Sequence, residues 1–174
     1  MDNAFSTVID RCRKALESDN ARSEVEAILL EAVKDAAIVD AISTRTKFSS
    51  LEDLAIYRSD RLTLLAGSMP PGFSAAPHNH NIWSVVGVCA GQEDNQFFVR
   101  DGDGLKQVGE TSIVGPGVLP NDADVIHAIR NPLDTPLIAL HVYGGDLFST
   151  PRSNWDAETH KEVSFDWKKV RSKP

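Results

Sequence analysis

From Leu62 onward the chain is a succession of short β-type runs, and this punctuation restricts its fold more than any other feature. The runs at 62–65, 83–88, 96–99, 112–114, 125–129 and 137–142 are divided by turn chemistry: Pro70-Pro71-Gly72, Asp101-Gly102-Asp103-Gly104, Gly115-Pro116-Gly117 and Asn131-Pro132. Proline presets φ and glycine admits positive φ, so each cluster reverses the chain with little strain. Short strands at this spacing fold as a sandwich or a closed barrel. The expected class is mainly β.

Residues ahead of Tyr57 have a helical period instead. Phe5, Val8, Ile9, Cys12 and Leu16 recur at three- and four-residue steps, with Asp10, Arg11, Arg13 and Lys14 between them. Ser23 followed by Glu26 predicts a capping box, and Val25, Ile28, Leu29 and Val33 give the stripe of a second helix. The stretch 36–42 continues as helix or turn, and 51–55 reads as a short helix capped by Ser49 or Ser50. With no linker or repeat, the reading is one domain over 1–174. A helical segment (1–56) packs on a barrel core (57–156), a C-terminal extension (157–174) follows, and Asp60 and Arg61 mark the seam.

A chain of 174 residues, 41% hydrophobic and 25% charged, can bury a core without disulfides. The net charge of −7 repels a phosphate backbone, so nucleic acid is not an expected partner. The basic run Lys168-Lys169-Val170-Arg171 reads as a solvated terminus. Cys12 and Cys89 are far apart and form neither a disulfide framework nor a zinc motif. No apolar run approaches the ~20 residues that span a membrane, and the N-terminus lacks the layout of a signal peptide. The expected location is the cytoplasm.

The chemistry concentrates in histidine. In His78-Asn79-His80 the two rings stand two residues apart, so on a strand they share one face while Asn79 points away. Gly72 lies six residues before His78, Ser84 four after His80, and Gly91 eleven after His80. His127 is followed four residues later by Asn131. On these residues the chain resembles the cupins, whose first motif is written G-x5-H-x-H-x3-E-x6-G and whose second contains H-x3-N. The resemblance implies a cupin double-stranded β-helix, a jelly-roll barrel, with the N-terminal helical segment outside it. It also implies a metal held by His78, His80 and His127. Ser84 replaces the motif's glutamate, and Asp122 and Asp124 replace the proline and glycine ahead of the second-motif histidine.

The missing glutamate has a chemical meaning. Three neutral imidazoles leave a divalent ion its full charge and about three open positions, which favours an anionic soft ligand such as a thiolate. The thiol dioxygenases are the cupin branch with such a site. The chain is similar to their 3-mercaptopropionate and bacterial cysteine dioxygenase-like members at 78–93, 125–131 and 140–144 and at Arg152, within 62–155. The resemblance implies Fe2+ as cofactor and oxidation of a small thiol carboxylic acid by dioxygen to its sulfinate. His141 would orient Tyr143, whose hydroxyl would lie near substrate and oxygen. Arg152 would pair with the substrate carboxylate, in preference to Arg58 or Arg61. Ala139 stands where the branch has a serine hydrogen-bonded to this pair. Val85 stands where animal cysteine dioxygenases carry a cysteine that cross-links to the tyrosine.

Blander readings accompany the rest. Cys89 is a small core residue, Trp83 packs below the site, Glu93 and Asn95 shape the turn after Gly91, and His160 is solvated. Imidazole nitrogens also accept zinc, nickel or copper. The alternative functions are another metal-dependent cupin enzyme (a non-thiol dioxygenase, isomerase or hydrolase) or a non-catalytic cupin that binds a ligand.

Overall fold

The computed structural model describes residues 3–156, 159 and 161–166; His160 and the basic run at 168–171 lie outside them. Three helices come first: α1 (Asn3–Ala15), α2 (Ala21–Ala32) and α3 (Ala36–Ser43). Their buried residues are those of the expected stripes: Phe5, Val8, Ile9 and Cys12 on α1, then Val25, Ile28 and Leu29 on α2. The capping box expected at Ser23 does not form. Asn20 is the N-cap and Ser23 lies in the first turn, because Ala21 and Arg22 are good helix formers that extend the helix upstream. The next helix, α3, is separate from α2, and its N-cap Asp35 accepts a hydrogen bond from the Ala37 N–H at 2.8 Å. Leu51–Leu54 is a 3₁₀ turn with Ser50 at its N-cap. The Asp53 carboxylate accepts there from the Ser49 and Ser50 N–H groups at 2.7 and 3.1 Å.

The strands are β1 (Ala55–Arg58), β2 (Thr63–Met69), β3 (Ser74–Asn79), β4 (Ser84–Ala90), β5 (Gln92–Asp101), β6 (Gly104–Val114), β7 (Gly117–Asn121), β8 (Ile126–Arg130), β9 (Leu137–Tyr143), β10 (Ser153–Trp155) and β11 (Glu162–Ser164). They form two sheets, ordered β1-β2-β9-β4-β7 and β11-β10-β3-β8-β5-β6. Four adjacent strands of each, β2-β9-β4-β7 and β3-β8-β5-β6, interleave along the chain as a jelly roll, the double-stranded β-helix. Strand structure starts at Ala55, ahead of the expected seam, and runs past 156 into β11, so part of the extension belongs to a sheet.

Two strands escape sequence reading because proline interrupts them. Pro77 falls where β3 shifts register against β8, between Ala75 and His78, and a bulge tolerates a missing N–H. Pro120 lies on β7, one of the two edge strands of its sheet.

The first sheet is buried on both faces. Leu64, Ala66, Val85, Leu140 and Val142 pack with the helices in one apolar cluster. Leu65, Val86, Val88, Ala139 and Tyr143 belong to a second cluster on the other face. This explains why 137–140 reads as continuous apolar sequence and not as alternation. The two motif glycines have positive φ, +71° at Gly72 and +82° at Gly91. A Cβ on Gly91 would also come within 2.8 Å of the Pro136 carbonyl oxygen. No helix among the described residues is long and apolar enough to cross a membrane.

Leu29 is fully buried between α2 and the sheet, near Gly87. Leu29→Ala is expected to cost about 2–5 kcal/mol, from lost transfer energy plus a cavity. Denaturant titration measures this; a loss below about 0.5 kcal/mol would show that the helices contribute little to the common core.

Candidate metal centre

His78 lies on β3 directly opposite His127 on β8, and His80 follows one residue beyond the end of β3. The cross-strand pair and the i, i+2 step bring three rings together, with centroids 4.7 Å apart for His78–His127, 5.0 Å for His78–His80 and 5.0 Å for His80–His127. Their candidate ligand atoms all lie within 4.8 Å of one another, and all three residues are buried. Asn79 points away, as the alternation requires. Its Oδ1 accepts from the Ser153 N–H at 2.8 Å and holds β10 in place.

Hydrogen bonds sort the ring nitrogens. His78 Nδ1 lies 2.9 Å from the Ala76 carbonyl oxygen, so it donates and leaves Nε2 bare. His127 Nδ1 lies 2.8 Å from Asn95 Oδ1, and its Nε2 is buried without a partner. A buried imidazole lone pair facing two other imidazoles fits a metal ion. His78, His80 and His127 are the residues that would hold it. Burial pushes His78 down to about 4, and burial with the neighbouring imidazoles holds His80 and His127 well below the usual histidine range. All three are neutral at physiological pH, the form that ligates.

No carboxylate joins the group among the described residues. Ser84 occupies the motif's glutamate position at the start of β4, fully buried, with Asn121 Nδ2 donating to its Oγ at 3.5 Å. Asn131 closes the turn after β8. Its Nδ2 donates to the Thr135 carbonyl at 2.8 Å and its Oδ1 accepts from the Leu133 N–H at 3.1 Å. Asp122 and Asp124 fall in the β7–β8 turn, where Asp122 pairs with Arg22 of α2.

The three histidines share a cavity of about 370 Å³ with His141, Tyr143 and Arg152. Tyr143 packs edge-on to His80, ring centroids 5.0 Å apart, and its hydroxyl is 3.3 Å from His141 Nδ1. Burial raises the Tyr143 hydroxyl well above its ordinary value, so it keeps its proton. The guanidinium of Arg152 lies 3.8 Å from the Phe165 ring centroid, and its Nη2 is buried without a partner. Burial lowers it to about 10, which leaves it charged at neutral pH. Arg58 and Arg61 are occupied elsewhere: Arg58 by Asp146 at 2.9 and 3.1 Å, Arg61 by the Leu16 carbonyl at 2.7 Å. Apolar wall comes from Phe48, Leu54, Leu65, Met69 and Phe73.

Several blander readings are settled. Cys89 is buried, its thiol pushed up to about 11 by burial, and it is inert core. Trp83 packs against the helical cluster, and its indole fills the space a side chain at Gly144 would need. The reading of Glu93 and Asn95 as turn formers is overturned. Both lie on β5, almost completely buried, and Asn95 holds a histidine of the candidate centre. Sequence reasoning also left out the walls given by Val163, Ser164 and Phe165, which come from the extension. Residues 92–96 are polar throughout and lie ahead of the expected run at 96–99, so no local signal set Glu93 and Asn95 apart.

No protein-family model matches the sequence. A Bacillus halodurans protein is 17% identical, with a TM-score of 0.51 over 75% of this chain and 86% of that one. A cupin superfamily protein of Desulfitobacterium hafniense is 22% identical, with a TM-score of 0.43 over 53% and 74%. A Klebsiella pneumoniae protein with a double-stranded β-helix domain is 15% identical, with a TM-score of 0.49 over 67% and 87%. The likeness at these identities is one of fold. The strand order itself is that of a jelly roll, a double-stranded β-helix.

Two opposed proton linkages act on the metal-free protein. The rings of His78 and His141, both at about 4, take up protons near 6.5 once unfolded, so their contribution is lost as pH falls from 6.5 toward 4. Burial raises Glu93 from 4.5 to about 7, so its contribution is lost as pH rises through that interval. The buried histidines outnumber the single carboxyl, and a lower melting temperature at pH 5 than at pH 7 is expected. A flat or opposite trend in thermal melts would contradict the burial of these rings.

Proposed function

We propose that this protein is an iron-dependent dioxygenase that oxidises a small thiol carboxylic acid, of the 3-mercaptopropionate or cysteine type, to its sulfinate. The observation that carries the reading is one cavity holding three neutral buried imidazoles and a buried guanidinium with an unpartnered N–H. Sequence resemblance to the thiol dioxygenases supports the same assignment. Fe2+ held by His78, His80 and His127 would supply open coordination positions and the redox chemistry that joins dioxygen to a thiolate.

The chain's own groups divide the remaining work. Arg152 is the carboxylate receptor: its free Nη2 lies in a low-dielectric pocket, where a charge-assisted hydrogen bond is strong. Phe165 supports it by packing on the guanidinium and by donating its N–H to the Arg152 carbonyl at 3.0 Å. Ser84 adds no negative charge where the motif has glutamate, so an incoming thiolate meets no fixed anion among the metal-holding residues. Tyr143 keeps its proton and offers a hydroxyl beside His80 for hydrogen bonding to the reacting groups. The apolar wall of Phe48, Leu65 and Met69 excludes water from the reacting sulfur. The net change is thiolate plus dioxygen to sulfinate, with sulfur oxidised by four electrons and both oxygen atoms ending on sulfur.

Oxygen uptake by the iron-loaded protein is the direct test. Uptake is expected with 3-mercaptopropionate or cysteine, and much less with cysteamine, which lacks the carboxylate. Arg152→Gln is expected to raise KM for the acids about tenfold to a hundredfold, the worth of a lost charged hydrogen bond, and to leave cysteamine turnover unchanged. Absence of thiol-dependent uptake, or turnover of sulfur-free substrates instead, would sink the assignment.

A further inference from the structure

Glu93 is 1% exposed, and no cation pairs with it among the described residues except through His141. A carboxylate in such a place is costly unless it is hydrogen-bonded. One oxygen, Oε1, accepts from Asn95 Nδ2 at 3.0 Å. The other, Oε2, has no hydrogen-bond partner and lies 3.7 Å from His141 Nε2, which also has none. Two orphaned buried atoms facing each other at this distance become satisfied together by a small side-chain rotation.

The consequences run along both arms. Once ionised, Glu93 cannot donate, so Asn95 turns its amide N–H groups to Glu93 and its carbonyl oxygen to His127. That carbonyl requires a proton on His127 Nδ1 and leaves Nε2 bare, facing His78 and His80. On the other arm, a proton on His141 Nε2 aimed at Glu93 leaves Nδ1 bare to accept from the Tyr143 hydroxyl at 3.3 Å. Ala139 supplies no hydroxyl to this pair.

We propose that Glu93 is the positioning residue of the centre. Through Asn95 it sets the tautomer of His127, and through His141 it sets the orientation of the Tyr143 hydroxyl. This rests on the three-histidine metal site and not on the identity of the substrate.

Glutamine separates the arms. Glu93→Gln keeps an acceptor for Asn95 but presents an N–H to His141, whereas Glu93→Ala removes both contacts. The test uses the full chain loaded with zinc. Affinity is read by competition with a chromophoric chelator, and ring tautomers by ¹⁵N-histidine NMR at pH 8, above the value of about 7 to which burial raises Glu93. Glu93→Ala is expected to weaken zinc about 10- to 100-fold, the usual effect of losing a ligand's outer partner. Glu93→Gln is expected to bind zinc within about threefold of the parent and to move the His141 proton from Nε2 to Nδ1. Asn95→Ala should reproduce the zinc loss, and Glu93→Leu, which fills the space but offers Asn95 no acceptor, should match that loss in the parent and add nothing in the Asn95→Ala background. If Glu93→Ala does not fold, this pair decides the metal arm. Unchanged zinc affinity in a folded Glu93→Ala or in Asn95→Ala, or an unmoved His141 tautomer in Glu93→Gln, overturns the proposal. None of these readouts involves a thiol, so failure of the dioxygenase reading leaves them standing.

Discussion

The pairing of β3 with β8 sets His78 opposite His127, and the rest of the centre depends on that register. Side chains alternate along a strand, so a slip of one residue would send one of the two rings to the far face. Local features pin the register from both ends. The bulge around Pro77 absorbs an extra residue before His78. Past β8, the Asn131 N–H donates to the Phe73 carbonyl at 2.9 Å, while its side chain ties the loop to Thr135. On the other side of β8, β5 sets Phe97 against His127, which puts Asn95 two residues away along the same strand. That step brings the amide to the ring.

Burial is the second condition. Four imidazoles, a carboxyl and a phenol sit inside a barrel whose first sheet is covered on its outer face by helices. Such a place keeps the imidazoles unprotonated and makes each hydrogen bond among them stronger than in water. It also makes every unpaired polar atom expensive. Among the described residues, the buried side-chain atoms left without a hydrogen bond, on Glu93, His127, His141 and Arg152, all concern the cavity or its immediate support. The helical layer meets the site through the sheet: it buries Leu64, Val85, Leu140 and Val142, and Leu140 and Val142 lie on β9, the strand that carries His141 and Tyr143.

The charge arrangement follows. The three candidate ligands are neutral, Ser84 contributes none of the motif's negative charge, and Arg152 adds a positive group at the cavity wall. Glu93 is held behind His141 and Asn95, with almost no exposed surface, and acts on the cavity through them.

How far these features could be read without coordinates depends on the range of the interaction behind each. Sequence alone determined the ring pair His78 and His80, because i, i+2 alternation is a property of the strand itself, and the apolar stripes of α1 and α2, because helical period is equally local. The motif spacing that joined His127 to them, and the placing of Tyr143, His141 and Arg152, came from resemblance over a long stretch. Proline hid β3 and β7, since the bulge and the sheet edge that tolerate it are set by neighbouring strands. The capping box at Ser23 failed for a related reason: several residues near a helix start can serve, and packing selects one. Only the tertiary structure decided which atom faces each free ring nitrogen. Asn95 meets a histidine 32 residues away, and Phe165 reaches Arg152 across a strand pairing that composition does not announce. Hydrogen-bond partners across sheets follow from register, and register is a property of the whole barrel.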